Sequence, residues 1–144
     1  MNFKSDLARG QAAEAVIAEK FPQLCRTNGR DVDFVSMSGQ RVELKADSTT
    51  YRNFFMEIIS NDNKRSPGGC FQSMFKKADY LLYFFEKTGE LYCFRIADLI
   101  WFLYENKEKY ALKKVNNRVY YTHGQAIPIT DLQHLSLDPA KEFL

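Results

Sequence analysis

Two carboxylates and one lysine lie in a short segment of the chain where they could act together. Asp33, Glu43 and Lys45 fall within the stretch DVDFVSMSGQRVELKAD, residues 31–47. Its two β-type runs are joined at Met37–Ser38–Gly39, and a three-residue loop with glycine in the left-handed conformation is a favoured hairpin connection. The stretch therefore predicts a β-hairpin that carries all three side chains.

The hydrophobic pattern predicts the register of this hairpin. A three-residue loop pairs Phe34 with Val42 on the apolar face and places Asp33 opposite Glu43 on the other face. A two-residue loop would instead pair Phe34 with Glu43 and mix apolar and charged residues. Since a slip of one residue exchanges the two faces of a strand, the pattern favours the three-residue loop.

Carboxylates directly opposite each other repel, because their Cβ atoms are roughly 5 Å apart. Such a pair persists when water screens it, when one acid takes up a proton, or when a divalent cation lies between the two. Lys45 follows Glu43 on the same face, about 7 Å along the strand. There its ammonium form can orient a metal-bound water, and its neutral amine form can deprotonate that water. The pattern alone is compatible with a metal-dependent hydrolytic site and with a solvated polar face.

An acid followed on the next strand by acid-x-lysine, after an opening helix, resembles the PD-(D/E)XK nuclease superfamily. Here the motif is Asp33 … Glu43-Leu44-Lys45, with Val32 where the superfamily's name has proline. The resemblance implies that Asp33, Glu43 and the backbone carbonyl of Leu44 hold Mg²⁺, with Mn²⁺ as a substitute. It also implies that Lys45 positions the attacking water.

The same resemblance gives an expectation for the fold. It implies a restriction-endonuclease-like core of the α/β or mixed α+β class, with a central mixed sheet flanked by helices in the order αβββαβ. We expect one such domain over residues 1–144. Within the superfamily, the segment order is most similar to small phage-type endonucleases that resemble Holliday-junction resolvases.

Two further acids are candidates for the same site. Glu14 lies in the apolar stripe of the opening helix, predicted over Ser5–Phe21, where a carboxylate is costly without a partner. The superfamily's opening helix often supplies an acid, although Glu14 could also reach solvent at the edge of the stripe. Glu57 lies in a run, residues 53–60, that resembles the Asn-x-Phe-x-Glu-x-x-Ser strand of phage-type members. The resemblance implies a catalytic role for Glu57, and the alternative is a plain edge-strand charge.

Basic residues follow this strand. Residues 60–77 carry four cations against one carboxylate, net +3, and residues 105–118 are also net +3. Such clusters bind phosphates, although a charged run is often simply a solvated face. The first cluster predicts nucleic-acid contacts by Lys64, Arg65, Lys76 and Lys77.

Composition limits the remaining function classes. The chain has 144 residues, a net charge of +2 and 45% hydrophobic residues, which suits one globular domain. The longest apolar run, Tyr80–Phe85, is too short to span a bilayer, and the first residues lack the apolar segment of a secretory signal. Three widely spaced cysteines predict a reducing cytoplasm and no zinc or disulfide framework.

The remaining elements are predicted from periodicity and turn residues. The aromatic segments Tyr80–Phe85 and Trp101–Tyr104 are interpreted as core. The predicted strands are Val32–Ser36, Arg41–Asp47, Phe54–Ser60, Tyr80–Phe85, Leu91–Ile96 and Val119–Thr122, and the predicted later helices are Cys70–Ala78 and Ala97–Lys109.

The sequence thus predicts a metal-dependent endodeoxyribonuclease that is a nickase, a site-specific enzyme or a branch-resolving enzyme. Expected partners are DNA, a second copy in a homodimer, and a phage or host replication or recombination protein, with no membrane. The alternative is a non-catalytic DNA- or protein-binding module that has kept the fold and serves a phage or mobile-element complex.

Overall fold

The computed structural model describes residues 3–28, 31–64, 66–67, 78–116 and 120–144. Three α-helices and nine β-strands lie in this part of the chain. In chain order they are α1 (Phe3–Lys20), β1 (Leu24–Arg26), β2 (Phe34–Ser36), β3 (Arg41–Asp47), β4 (Asn53–Asn61), β5 (Ser66–Pro67), β6 (Tyr80–Phe85), β7 (Glu90–Arg95), α2 (Ile96–Asn106), β8 (Leu112–Asn116), β9 (Tyr121–Pro128) and α3 (Pro139–Glu142).

The first sheet has five strands in the order β1-β2-β3-β6-β7. Strands β3 and β6 are parallel, and the other neighbours are antiparallel. Parallel neighbours need a long crossover connection, which here includes β4, β5 and residues 68–77. The predicted helix Cys70–Ala78 lies outside the described residues except for Ala78. The predicted mixed α and β class, with a mixed sheet of several strands, is confirmed.

The hairpin has the predicted register. Phe34 pairs with Val42, and Ser36 donates its backbone N–H to the carbonyl of Gln40 at 2.9 Å. Gly39 has φ of +86°, the left-handed conformation that glycine adopts without steric cost. The three-residue loop is therefore confirmed, and β3 has its predicted bounds, while β2 begins at Phe34 rather than Val32.

A second, antiparallel sheet has the order β5-β4-β9-β8. The strand of Glu57, β4, pairs with β9 from Asn53↔Pro128 to Ile59↔His123. The described strands therefore form two sheets, whereas one central sheet was predicted. The prediction missed β8 because its sequence, LKKVN, has no alternating apolar pattern, and its five residues are all exposed.

The core has two parts. Ile17 and Phe21 of α1 pack with Phe34, Val42 and Leu82 of the first sheet. A larger cluster contains Leu99 and Leu103 of α2, residues of the second sheet, and Tyr83 and Phe85 of β6. Apolar clusters thus pack on both faces of the first sheet, which contains the β3 strand of the predicted site.

Helix α2 buries one face only. Ile96, Leu99 and Leu103 are buried, whereas Trp101 and Tyr104 are 62% and 64% exposed. The prediction that these two aromatic residues belong to the core is wrong, because α2 carries apolar residues on all sides and the sheets cover only one of them. No described helix is both long and apolar enough to cross a lipid bilayer.

Candidate active site

Asp33 is fixed to the edge of β3. Its Oδ2 accepts a hydrogen bond from the backbone N–H of Leu44 at 2.8 Å. Asp33 immediately precedes Phe34, where the backbone ladder between β2 and β3 ends. The Asp33 carboxylate therefore accepts the hydrogen bond that a backbone carbonyl of β2 would accept if the ladder continued. In a strand the N–H and C=O of one residue point to the same side, so the carbonyl of Leu44 faces this edge as well.

Glu43 and Lys45 precede and follow Leu44 in β3, and their side chains lie on the opposite face of the strand from the Leu44 side chain. In β3 they pair with Leu81 and Tyr83 of β6, and the Oε1 atom of Glu43 is shielded from solvent. Because Phe34 pairs with Val42, the next residue of β3, Glu43, lies beside Asp33. Asp33 and the segment Glu43-Leu44-Lys45 thus lie next to each other where the hairpin ladder ends.

Lys45 is held by two residues of β4. Its Nζ lies 3.3 Å from Glu57 Oε1 and 5.6 Å from the centre of the Phe55 ring. The side chains of Lys45 and Glu57 are 30% and 28% exposed, so water still reaches the pair. Glu57 therefore joins the predicted site through Lys45 and connects the second sheet to the first.

Glu14 has a cation of its own. Its Oε2 lies 2.9 Å from Nη2 of Arg26 in β1, and the side chain is 20% exposed. Arg26 is therefore the partner that the Glu14 carboxylate needs in the apolar stripe of α1. The sequence analysis did not identify Arg26. A role for Glu14 in binding a metal ion stays a prediction.

Asp47 and Tyr83 form a second polar pair on the face of Glu43 and Lys45. The Tyr83 hydroxyl donates to Asp47 Oδ2 at 2.7 Å and accepts from the Phe55 N–H at 3.3 Å. Burial favours the protonated form of Asp47, but hydrogen bonds from Thr49 and Tyr83 outweigh it and hold the pKa of Asp47 below its usual value. Burial, together with Asp47, raises the pKa of Tyr83.

This polar pair links β3, β4 and β6 below Lys45. The sequence analysis missed it, although the period-two alternation of β3 places Asp47 on the face of Glu43 and Lys45. Among the predicted phosphate-binding residues, Lys64 is exposed beyond β4. Arg65, Lys76 and Lys77 lie outside the described residues.

The donor set for a cation is small. Within the described part of the chain, no group of three or more His, Cys, Asp and Glu side chains is close enough to hold a metal ion. Asp33, Glu43 and the Leu44 carbonyl are two carboxylates and one neutral oxygen. This set fits Mg²⁺ chemically, since Mg²⁺ is commonly bound through one or two carboxylates and keeps several waters.

Comparison of the chain with protein-family models, with curated proteins and with solved structures finds no match. What the site can do therefore has to follow from its own residues. The oxygen donors lie on the side of β3 beyond the end of β2, and the nearby Lys45 is paired with a carboxylate. These are the kinds of group that metal-assisted hydrolysis uses.

Proposed function

We propose that the protein is a metal-dependent endodeoxyribonuclease with a restriction-endonuclease-like core. The observation that carries the proposal is the hydrogen bond from the Leu44 N–H to Asp33 Oδ2. This bond joins Asp33, which directly precedes β2, to the Glu43-Leu44-Lys45 segment of β3. The PD-(D/E)XK motif has the same order, an acid followed on the next strand by acid-x-lysine. The parallel pairing of β3 with β6 and the opening helix α1 are further support.

The motif residues have distinct tasks in this proposal. Asp33, Glu43 and the Leu44 carbonyl would hold Mg²⁺. When bound, the ion supplies positive charge for the phosphate and lowers the pKa of a coordinated water. Lys45 would orient the attacking water toward phosphorus. The contacts with Glu57 and Phe55 limit the positions of the Lys45 ammonium, so that less conformational freedom is lost when the DNA binds.

The test is cleavage of supercoiled plasmid, branched DNA and single-stranded DNA with Mg²⁺ or Mn²⁺. We expect cleavage by the native protein and nearly none by Asp33→Ala, Glu43→Ala or Lys45→Ala. With Ca²⁺ we expect DNA binding and little cleavage. Glu90→Ala is the matched control, because Glu90 is a strand carboxylate whose ion pair is with Arg52 rather than with a motif residue.

Three outcomes would contradict or change the proposal. Full activity of Glu43→Ala excludes the mechanism. DNA binding without cleavage under all metal conditions identifies a non-catalytic binding module instead. Activity that returns only when a partner protein is added identifies an accessory subunit of a larger complex.

A further inference from the structure

An apolar groove lies on the opposite face of the second sheet from Phe55 and Glu57. It has a volume of about 570 Å³. Its wall is the C-terminal part of α2, with Leu103 and Tyr104, together with Lys107 just after the helix. Its floor includes Ile58, Leu112 and Gln125. Gln125 pairs with Met56, which places both on the face away from Glu57. We call this the α2–β8 groove.

The groove opens beside an edge strand. Among the strands that the structure describes, β8 has a neighbour on one side only, β9. All five residues of β8 are exposed, and alternate N–H and C=O groups of an edge strand point away from its neighbour. Leu112 is 60% exposed and pairs with Gln125, so it points toward the groove. A strand added to β8 would therefore place alternate side chains in the groove.

The positive charge of the groove and of β8 restricts which strand could add to this edge. Lys107 lines the groove, and Lys113 and Lys114 lie on β8. Against them Glu108 is the only carboxylate lining the groove in the described part of the chain. Two copies of β8 paired together would bring these lysines against one another, which disfavours a second copy of this chain. An acidic strand is complementary to the edge.

Nucleic acid fits this surface less well. Most of the residues that line the α2–β8 groove are apolar or aromatic, whereas nucleic-acid sites are polar and strongly cationic. The exposed ring of Tyr121, farther along this face, has the Lys114 ammonium 3.9 Å above its centre. That position is where a stacked base would lie.

We propose that β8 and the α2–β8 groove bind an extended segment of another protein. The segment adds to β8 as a strand and places alternate, apolar side chains in the groove. Its acidic side chains then lie on the other face of the sheet, beside Lys113. Backbone hydrogen bonds to the edge provide affinity, and the groove provides specificity. This binding site is independent of the nuclease chemistry, because Lys45 and Glu57 lie on the other side of the sheet.

The test uses fluorescein-labelled peptides of roughly ten residues, about twice the length of β8. In these peptides Phe and Val alternate with Asp and Glu. We expect saturable binding by fluorescence anisotropy, and weaker binding when Lys replaces the acids or when alternate backbone nitrogens are methylated. N-methylation removes the main-chain donors but leaves the side chains unchanged.

Two exposed positions of β8 give a matched pair of variants. Leu112→Ser removes the side chain at the groove and should weaken peptide binding about tenfold or more. Val115 is 43% exposed and points to the other face, so Val115→Ser should change binding less than about twofold. Both residues are exposed, so both variants should melt at the temperature of the native protein.

Several results would overturn the proposal. These are no binding of the alternating peptides, equal effects of the two serine variants, and binding that N-methylation leaves unchanged. Binding of a labelled single-stranded oligonucleotide that Leu112→Ser weakens would assign the surface to nucleic acid. A dimer in sedimentation that Leu112→Ser dissociates would assign it to a second copy of the chain.

Discussion

Lys45 Nζ lies 3.3 Å from Glu57 Oε1 and so joins two strands that belong to different sheets. β3 carries the acid-x-lysine segment, and β4 is the next strand along the chain. A cation in contact with Glu57 neutralises a carboxylate that a metal site would otherwise use. The contact suggests that Glu57 positions Lys45, and the catalytic role that the sequence analysis predicted for Glu57 stays a prediction.

Glu57→Gln separates these two roles. If Glu57 positions Lys45, the maximal cleavage rate should fall about tenfold, while the Mg²⁺ concentration for half-maximal rate stays unchanged. Stability should fall by no more than about 1 kcal/mol, because the ion pair is partly exposed to solvent. Single-turnover cleavage over a Mg²⁺ titration measures both quantities. A large rise in the Mg²⁺ requirement would show instead that Glu57 is a metal ligand.

Asp33→Asn should remove metal activation while keeping the fold. The amide oxygen can still accept from the Leu44 N–H, but the negative charge for a cation is lost. We expect cleavage to fall a hundredfold or more, equivalent to at least ~3 kcal/mol of barrier. The measurement is cleavage rate together with thermal unfolding.

Asp79→Asn is the control for this change. Asp79 Oδ2 accepts from the backbone N–H of Arg41 at 2.8 Å, so it makes the same kind of bond to the first residue of β3. Its replacement should leave cleavage unchanged. Equal losses in the two variants would mean that Asp33 acts only by supporting the strand.

Glu14→Gln tests the predicted contribution of the opening helix. Because Glu14 is paired with Arg26 at 2.9 Å, we expect a small loss of stability, on the order of 1 kcal/mol, and a cleavage rate within about twofold of native. The same Mg²⁺ titration provides the measurement. A loss of metal activation as large as that of Asp33→Asn would place Glu14 in the metal site.

Local patterns predicted the hairpin and its contacts. Alternation of apolar residues and a glycine at the loop determine the register of Phe34 with Val42, and the bounds of β3 follow from the same pattern. The partner of Lys45 was not predictable in this way, because Glu57 belongs to a second sheet that forms only when β4 pairs with the distant β9. Likewise, the pattern located Glu14 in an apolar stripe but gave no indication of Arg26. Contacts such as Lys45–Glu57 and Glu14–Arg26 depend on how separate strands and helices pack together, which local sequence patterns do not show.

Gly124 provides the space for the Phe55 ring beside Lys45. A Cβ atom at Gly124 would lie 2.7 Å from Phe55 Cζ and 2.6 Å from the Met56 carbonyl oxygen. Gly124→Ala should therefore displace the ring, destabilise the protein by about 1–3 kcal/mol and lower the cleavage rate. Urea unfolding and cleavage assays measure the two effects.

Gly10→Ala is the control for a glycine replaced by alanine. Apart from its chain neighbours and the nearby helix backbone, no atom of the described residues lies within 4 Å of a Cβ at Gly10, which is on the exposed side of α1. Alanine there should stabilise the helix by up to about 1 kcal/mol without changing cleavage. If both variants lose activity, the change at Gly124 is not specific to the position of Lys45.

Tyr83→Phe tests the polar pair beneath Lys45. The change removes a buried hydroxyl that bonds Asp47 and the Phe55 N–H, so the free energy of unfolding should fall by about 1–3 kcal/mol near neutral pH. The pKa of Asp47 is below its usual value in the folded protein. Its ionised form therefore stabilises the fold above about pH 4, the pKa of an unfolded aspartate.

This stabilisation is lost as the pH falls through the lower, folded pKa of Asp47. In Tyr83→Phe the pKa of Asp47 should rise, because burial is then opposed by fewer hydrogen bonds. The stability difference between the two proteins should thus be largest near neutral pH and narrow in acid. Asp62 and Glu90 also have lowered pKa values, but they act in both proteins and cancel in the difference. Urea unfolding of both proteins from about pH 3 to pH 7 measures this difference in unfolding free energy. A difference that stays constant over this range would exclude coupling between Tyr83 and the charge of Asp47.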